Sequence, residues 1–187
     1  MTEIRWDDFC DKESTRFAIR EPRVIGGWKL ATESRVCIGI PTTEPDSPPS
    51  VARFPNVAAL LAPVFGQVGD MTPWPIVEPC VCFPASEKTC ECPTCGSHVH
   101  ERRIKGERCN CKVIVGGRSI ASPLFDKISR LPNVGYFIPA HPDFEHQVWF
   151  RFDGGGVGIV MTLDMYGVGA SDKPIRKALA LKEPCTA

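Results

Sequence analysis

With 187 residues, 43% of them hydrophobic, the chain is long enough for one domain with its own core, or for one domain plus a small satellite. Its 22 basic and 22 acidic residues cancel and no basic stripe runs along it, which disfavours non-specific nucleic-acid binding as the main activity. No stretch approaches the ~18 apolar residues of a membrane span, and Met1–Asp11 carries four acidic residues and no apolar run, so a cytoplasmic protein with no membrane partner is expected.

The first block, residues 1–79, reads as a sheet-forming half with proline-rich linkers. Arg16–Arg20 and Gly27–Thr32 alternate in part as strands do, and Arg35–Ile40 is a third strand candidate. Gly26-Gly27 and Glu33-Ser34 sit where hairpin turns belong. Prolines 41, 45, 48, 49 and 55 make an irregular exposed stretch, followed by a short helix from about Asn56 to Leu61 that Pro63 is expected to stop. Pro73, Pro75 and Pro79 mark a second extended linker. Trp74, within it, is the tryptophan expected to be exposed for a partner, whereas Trp6, Trp28 and Trp149 read as core or interface anchors.

Residues 80–111 form a separate block. Seven of the ten cysteines fall here, as Cys80, Cys82, Cys90, Cys92, Cys95, Cys109 and Cys111, together with His98 and His100. Clustered cysteines in a cytosolic chain read as metal ligands rather than as a disulfide framework. Zinc prefers four soft or borderline ligands in a tetrahedron, and Cys92-Pro-Thr-Cys95-Gly96 is a knuckle in which one tight turn presents two thiolates to one ion. Two arrangements stay open. In one, Cys90, Cys92, Cys95 and His98 or His100 hold one ion, and Cys80, Cys82, Cys109 and Cys111 hold another. In the other, a single ribbon-like site uses Cys92, Cys95, Cys109 and Cys111. Either way the protein fills every ligand position, so the zinc, one ion or two, is structural and supplies most of the folding energy of a segment with few apolar residues. Arg102, Arg103, Lys105 and Arg108 make this segment the densest basic cluster in the chain, either a solvated rim or a partner-binding surface.

The third block, residues 112–166, reads as a βαβββ half. Lys112–Val115 is a strand, Gly116-Gly117 a turn, and Ser122-Pro123 the N-cap and first turn of a helix. Ile120, Leu124, Ile128 and Leu131 recur at helical spacing, and Pro132 ends the helix. A strand over Val134–Ile138, a loop with His141 and His146, and a hairpin follow. The hairpin comprises Val148–Phe152, Asp153–Gly156 and Val157–Leu163. Asp153-Gly-Gly-Gly156 precedes a strand rather than a helix, which favours a tight turn over a phosphate-cradling loop. His141, Asp143 and His146 read as solvated loop residues, and Cys37 as a small buried hydrophobe. The tail, 167–187, holds a short amphipathic stretch from Ile175 to Leu181. No nucleophile, base and orienting group can be assembled from the sequence, so no enzyme is expected.

Two segments carry a family resemblance. Trp28-Lys-Leu-Ala-Thr-Glu-Ser-Arg-Val-Cys-Ile38 resembles the "ATDG-R" hairpin of the bacterial sliding clamp, the β subunit of DNA polymerase III, with Glu33-Ser34 where that family has Asp-Gly. The block from Val113 to Met165 looks like half of a clamp domain. The whole is similar to uncharacterised phage and prophage proteins with a Cys-rich insert, sometimes labelled clamp-like. The resemblance implies an α+β fold, an antiparallel sheet with one or two helices, clamp-domain-like, with the zinc knuckle inserted. It also implies a link to DNA replication, with Arg118, Lys127 and Arg130 near the main helix as the nucleic-acid-binding residues. With room for one domain, the chain could close a ring only as a homo-oligomer. The expected function is a non-enzymatic, zinc-stabilised phage-type protein that binds a protein or nucleic-acid partner in the host cytoplasm. The alternative is a small phage inhibitor that blocks a host complex such as a CRISPR or other defence effector.

Overall fold

Gly26 and Gly27 take φ of +57° and +77°, the left-handed pair that a two-residue turn between antiparallel strands requires. They join β1 (Arg23–Ile25) to β2 (Trp28–Thr32), and a turn through Glu33, Ser34 and Arg35 joins β2 to β3 (Val36–Pro41). The computed structural model describes residues 4–48, 55–66, 70–77, 89–91, 98–100 and 112–163. It adds helix α1 (Val57–Gly66), strands β4 (Thr72–Pro73), β5 (Thr89–Glu91), β6 (His98–His100), β7 (Lys112–Val115) and β8 (Arg118–Ala121), helix α2 (Ser122–Ile128), and strands β9 (Gly135–Phe137), β10 (Gln147–Phe152) and β11 (Gly156–Met161). The α+β class expected from the sequence is what is observed.

Seven strands form one sheet in the order β1-β2-β3-β11-β10-β9-β4, with every neighbouring pair antiparallel. The chain thus makes two meanders, β1-β2-β3 and β9-β10-β11. They meet where β3 pairs with β11 in the register Val36↔Val160, Cys37↔Ile159, Ile38↔Gly158 and Gly39↔Val157. Gly154 and Gly155, at φ of +79° and +74°, make the tight turn of the last hairpin, as its sequence leads one to expect.

Both faces of this sheet are covered. On one, Val36, Ile38, Val148, Phe150, Phe152 and Val160 pack under α2 and the β7–β8 hairpin. On the other, Leu30, Cys37, Trp149, Val157 and Ile159 pack under Val57, Leu61 and Val64 of α1. A strand buried on both sides has no polar face to show, so β3 and β11 read as nearly continuous apolar runs. Glycine makes room for the rings. A Cβ at Gly158 would be driven into the ring of its cross-strand partner Phe150, and one at Gly156 into that of Phe152.

Several expectations are corrected. Arg16–Arg20 is not a strand; Phe17–Ile19 is a 3-10 turn, and the first strand begins at Arg23. Pro63 does not stop α1, which runs on to Gly66. The proline lacks the N–H that would bond Ala59, but both residues are exposed, so water can replace that donor. The Asn56 side chain accepts from the Ala59 N–H at 3.2 Å, and Arg151 donates to the Val64 and Phe65 carbonyls at 2.8 and 3.2 Å, so both ends of the helix are capped. Ser122 lies inside α2 with Ala121 as N-cap, and α2 ends at Ile128, short of Pro132. Ile120 belongs to β8, where it is buried at strand rather than helix spacing. Trp74 is 9% exposed, not presented to a partner: its ring stacks on Phe125 at 5.3 Å and its indole N–H donates to Ser129 Oγ at 3.0 Å. A proline-flanked residue becomes a core residue here because the Trp74 amide bonds the Val134 carbonyl at 2.9 Å, docking the segment on the sheet edge.

Gly158→Ala is expected to cost roughly 1–3 kcal/mol in urea denaturation, because Phe150 and the Cys37 carbonyl leave no room for a methyl. Gly66→Ala, with open space at its Cβ, serves as the control and should leave the midpoint unchanged or raise it. Equal effects of the two substitutions would contradict the packing described.

Candidate functional site

Of the ligand set read from the sequence, Cys80, Cys82, Cys92, Cys95, Cys109 and Cys111 lie outside the described residues, as do Arg102, Arg103, Lys105 and Arg108. So do the stretch from Ile175 to Leu181 and Cys185. What the structure supplies is the backbone on either side of the Cys92–Cys95 knuckle. β5 and β6 pair antiparallel, Thr89 with His100, Cys90 with Val99 and Glu91 with His98. Among the described residues, no three of His, Cys, Asp and Glu come together as a metal-holding group.

The basic residues expected near the main helix are placed, and none of the three is a free cation. The Arg118 guanidinium donates to the carbonyls of Phe144, Gln147 and Pro139, the last at 3.2 Å, and so pins the loop between β9 and β10 to the β7–β8 hairpin. Its desolvation lowers its pKa, partly opposed by Glu145. Lys127 forms a largely buried ion pair with Glu33, tying α2 to the β2–β3 turn. Arg130 pairs with Asp8 at 3.1 Å. The expected nucleic-acid face is thus taken up by internal contacts, because three carbonyls and two carboxylates satisfy the cations that would have met phosphates.

Other candidates resolve simply. His141 and Asp143 have side chains 62% and 76% exposed, and His146 sits beside Glu145 at 3.2 Å on the surface, as expected of solvated loop residues. Cys10 and Cys37 are free and buried. Burial, reinforced by Asp7, pushes the Cys10 thiol up to about 11; burial pushes Cys37 up to about 12 against a hydrogen bond from the Ile159 backbone. Both are raised above their unfolded values, so their contributions to stability are present below the ordinary thiol range. They are lost only as pH rises toward about 11 and 12. Neither thiol is a nucleophile at neutral pH.

Sequence reasoning did not find a cleft on the α1 side of the sheet, lined by Arg16, Arg35, Cys37, Val57, Leu60 and Met161 among others. Its residues come from five separated stretches, which the β3–β11 pairing and the packing of α1 on those strands bring together. No helix among the described residues is long and apolar enough to cross a membrane. No protein-family model, curated protein or solved structure matches the chain.

Arg118→Ala is expected to lower the unfolding free energy by about 2–3 kcal/mol, since charge-assisted bonds to three carbonyls are lost together. Arg130→Ala, at a pair that is largely solvent-exposed, should cost at most about 1 kcal/mol. Chemical denaturation of both variants checks this, and an Arg118→Ala protein as stable as the parent would contradict the structural role.

Proposed function

We propose that this chain is a non-enzymatic, zinc-stabilised binding protein that engages a protein partner, in the phage replication setting that the clamp resemblance implies. The observation that carries the reading is the β5–β6 ribbon. Its described strand residues, Thr89–Glu91 and His98–His100, lie on either side of the Cys92-Pro-Thr-Cys95-Gly96 sequence along the chain. A short antiparallel pair on either side of a Cys-x-x-Cys-Gly knuckle is the backbone setting a ribbon-type zinc site needs.

The donor set fits zinc: seven thiols and two imidazoles in 80–111 are enough for four-coordinate closed sites. The ribbon-like set of Cys92, Cys95, Cys109 and Cys111 supplies one such four-ligand site. Zinc held by four protein ligands has no open position for water and stabilises the fold instead of activating a substrate.

A protein partner is preferred to nucleic acid because Arg118, Lys127 and Arg130 already have internal partners. Zero net charge agrees with that preference.

Metal analysis of the purified full-length protein tests the reading. Zinc is expected at one ion or more per chain. Cys92→Ser should lower the content by one ion, and Cys90→Ser should leave the Cys92 site filled. A folded protein that takes up no zinc even after reconstitution under reducing conditions would contradict it.

A further inference from the structure

The cleft on the α1 face uses no residue of 80–111, and what it binds stands or falls independently of zinc. Its floor and walls are apolar: Ile159 and Met161 from β11, Cys37 from β3, and Val57 and Leu60 from the first turns of α1. Ile19 and Pro55 close its sides, and Gln147, Thr32 and Ser34 add the uncharged polar lining. Leu60 is 53% exposed, and α1 carries no charged residue in any of its ten positions, so the apolar surface continues outward from the cleft onto Ala59 and Pro63.

The volume is about 150 Å³. A dry cavity of about that size holds one benzene-sized group, well below the several hundred Å³ of a site for a drug-sized molecule. The occupant is therefore a single apolar side chain rather than a long acyl chain or a cofactor.

The charge is equally restrictive. Among the described residues Arg16 and Arg35 are the only ionised ones in the lining, both exposed, and no described Asp or Glu lies among them. Neither guanidinium makes a hydrogen bond or ion pair with any described residue. Elsewhere Lys12 pairs with Asp7, Lys29 with Glu44, Lys127 with Glu33 and Arg130 with Asp8. Two arginines that line an apolar hole and have no counter-charge among the described residues complement a carboxylate attached to an apolar group, and the planar guanidinium suits bidentate pairing with a carboxylate.

We propose that this cleft captures the carboxyl-terminal residue of a partner protein: a leucine- or phenylalanine-sized side chain enters between Leu60 and Met161, and the terminal carboxylate pairs with Arg16 and Arg35. An internal apolar side chain lacks the adjacent carboxylate, and a fatty acid carries too much chain for the volume.

The test is binding to the purified 187-residue chain, with and without added zinc, of a fluorescently labelled, flexible Gly/Ser peptide ending in leucine with a free carboxyl group, read by anisotropy. The comparison probes are the same peptide amidated at its C-terminus, one ending in serine, and octanoate as competitor. Saturable binding is expected with Kd below about 1 mM. Amidation, the serine ending, Arg16→Gln and Arg35→Gln should each weaken it about tenfold or more. Both arginines are exposed, so the variants should fold as the parent does, which circular dichroism checks. Absence of saturable binding, equal binding of the amide, or insensitivity to both substitutions overturns the proposal. Octanoate displacing the peptide at lower concentration than the peptide itself needs also overturns it, assigning the cleft to a small amphiphile.

Discussion

The pairing of β3 with β11 is the contact on which the remaining structure depends. It joins strands separated by more than a hundred residues, and without it the sheet would fall into a three-stranded piece, β1-β2-β3, and a four-stranded piece, β11-β10-β9-β4. Once Val36↔Val160 and Cys37↔Ile159 are in register, the alternation of both strands is fixed across the whole sheet, because a slip of one residue would exchange its faces. The amide of Met161 extends the junction by bonding the Arg35 carbonyl at 2.8 Å. The same junction assembles the cleft, since Arg35 and Cys37 come from one strand and its turn, and Ile159 and Met161 from the other.

A sheet covered on both sides imposes its own demands on composition. The strands give up polar alternation, and the rings of Phe150 and Phe152 lie over glycines on the neighbouring strand. Charged groups in these layers make internal contacts. Arg151 does so on an otherwise apolar face by capping the carboxyl end of α1, and Lys127 by pairing with Glu33 across the opposite layer. Such internal use takes Arg118, Lys127, Arg130 and Arg151 away from a partner, and that shapes the functional reading more than the net charge does.

The turns were the most legible part of the sequence. Gly26-Gly27, Gly116-Gly117 and Gly154-Gly155 all take the positive φ values that make glycine informative. Ser34, at φ +76°, takes such a value without being glycine, at the turn between β2 and β3. The misreadings share a cause, which is tertiary context overriding local pattern. Arg16–Arg20 alternates like a strand yet has no neighbour to pair with, and Pro63 breaks helices in general but sits on the solvent side of this one. Trp74 was concealed by its prolines, because what buries it is a ring stack with Phe125, 51 positions later. Arg118 looked like a surface cation because carbonyl partners leave no trace in a sequence. For the cysteine-rich segment the legible element was ligand chemistry, and the structure adds only the register of the β5–β6 ribbon on either side of Cys92–Cys95.

Native-state hydrogen exchange tests the central claim most directly. If the β3–β11 junction holds the two halves together, the amides of residues 36 to 40 and 157 to 160 should exchange only through global unfolding, with an opening free energy equal to that from denaturant titration. Exchange of these amides through a cheaper opening, while the β10–β11 hairpin and α2 remain protected, would show that the halves are stable apart and would contradict the account.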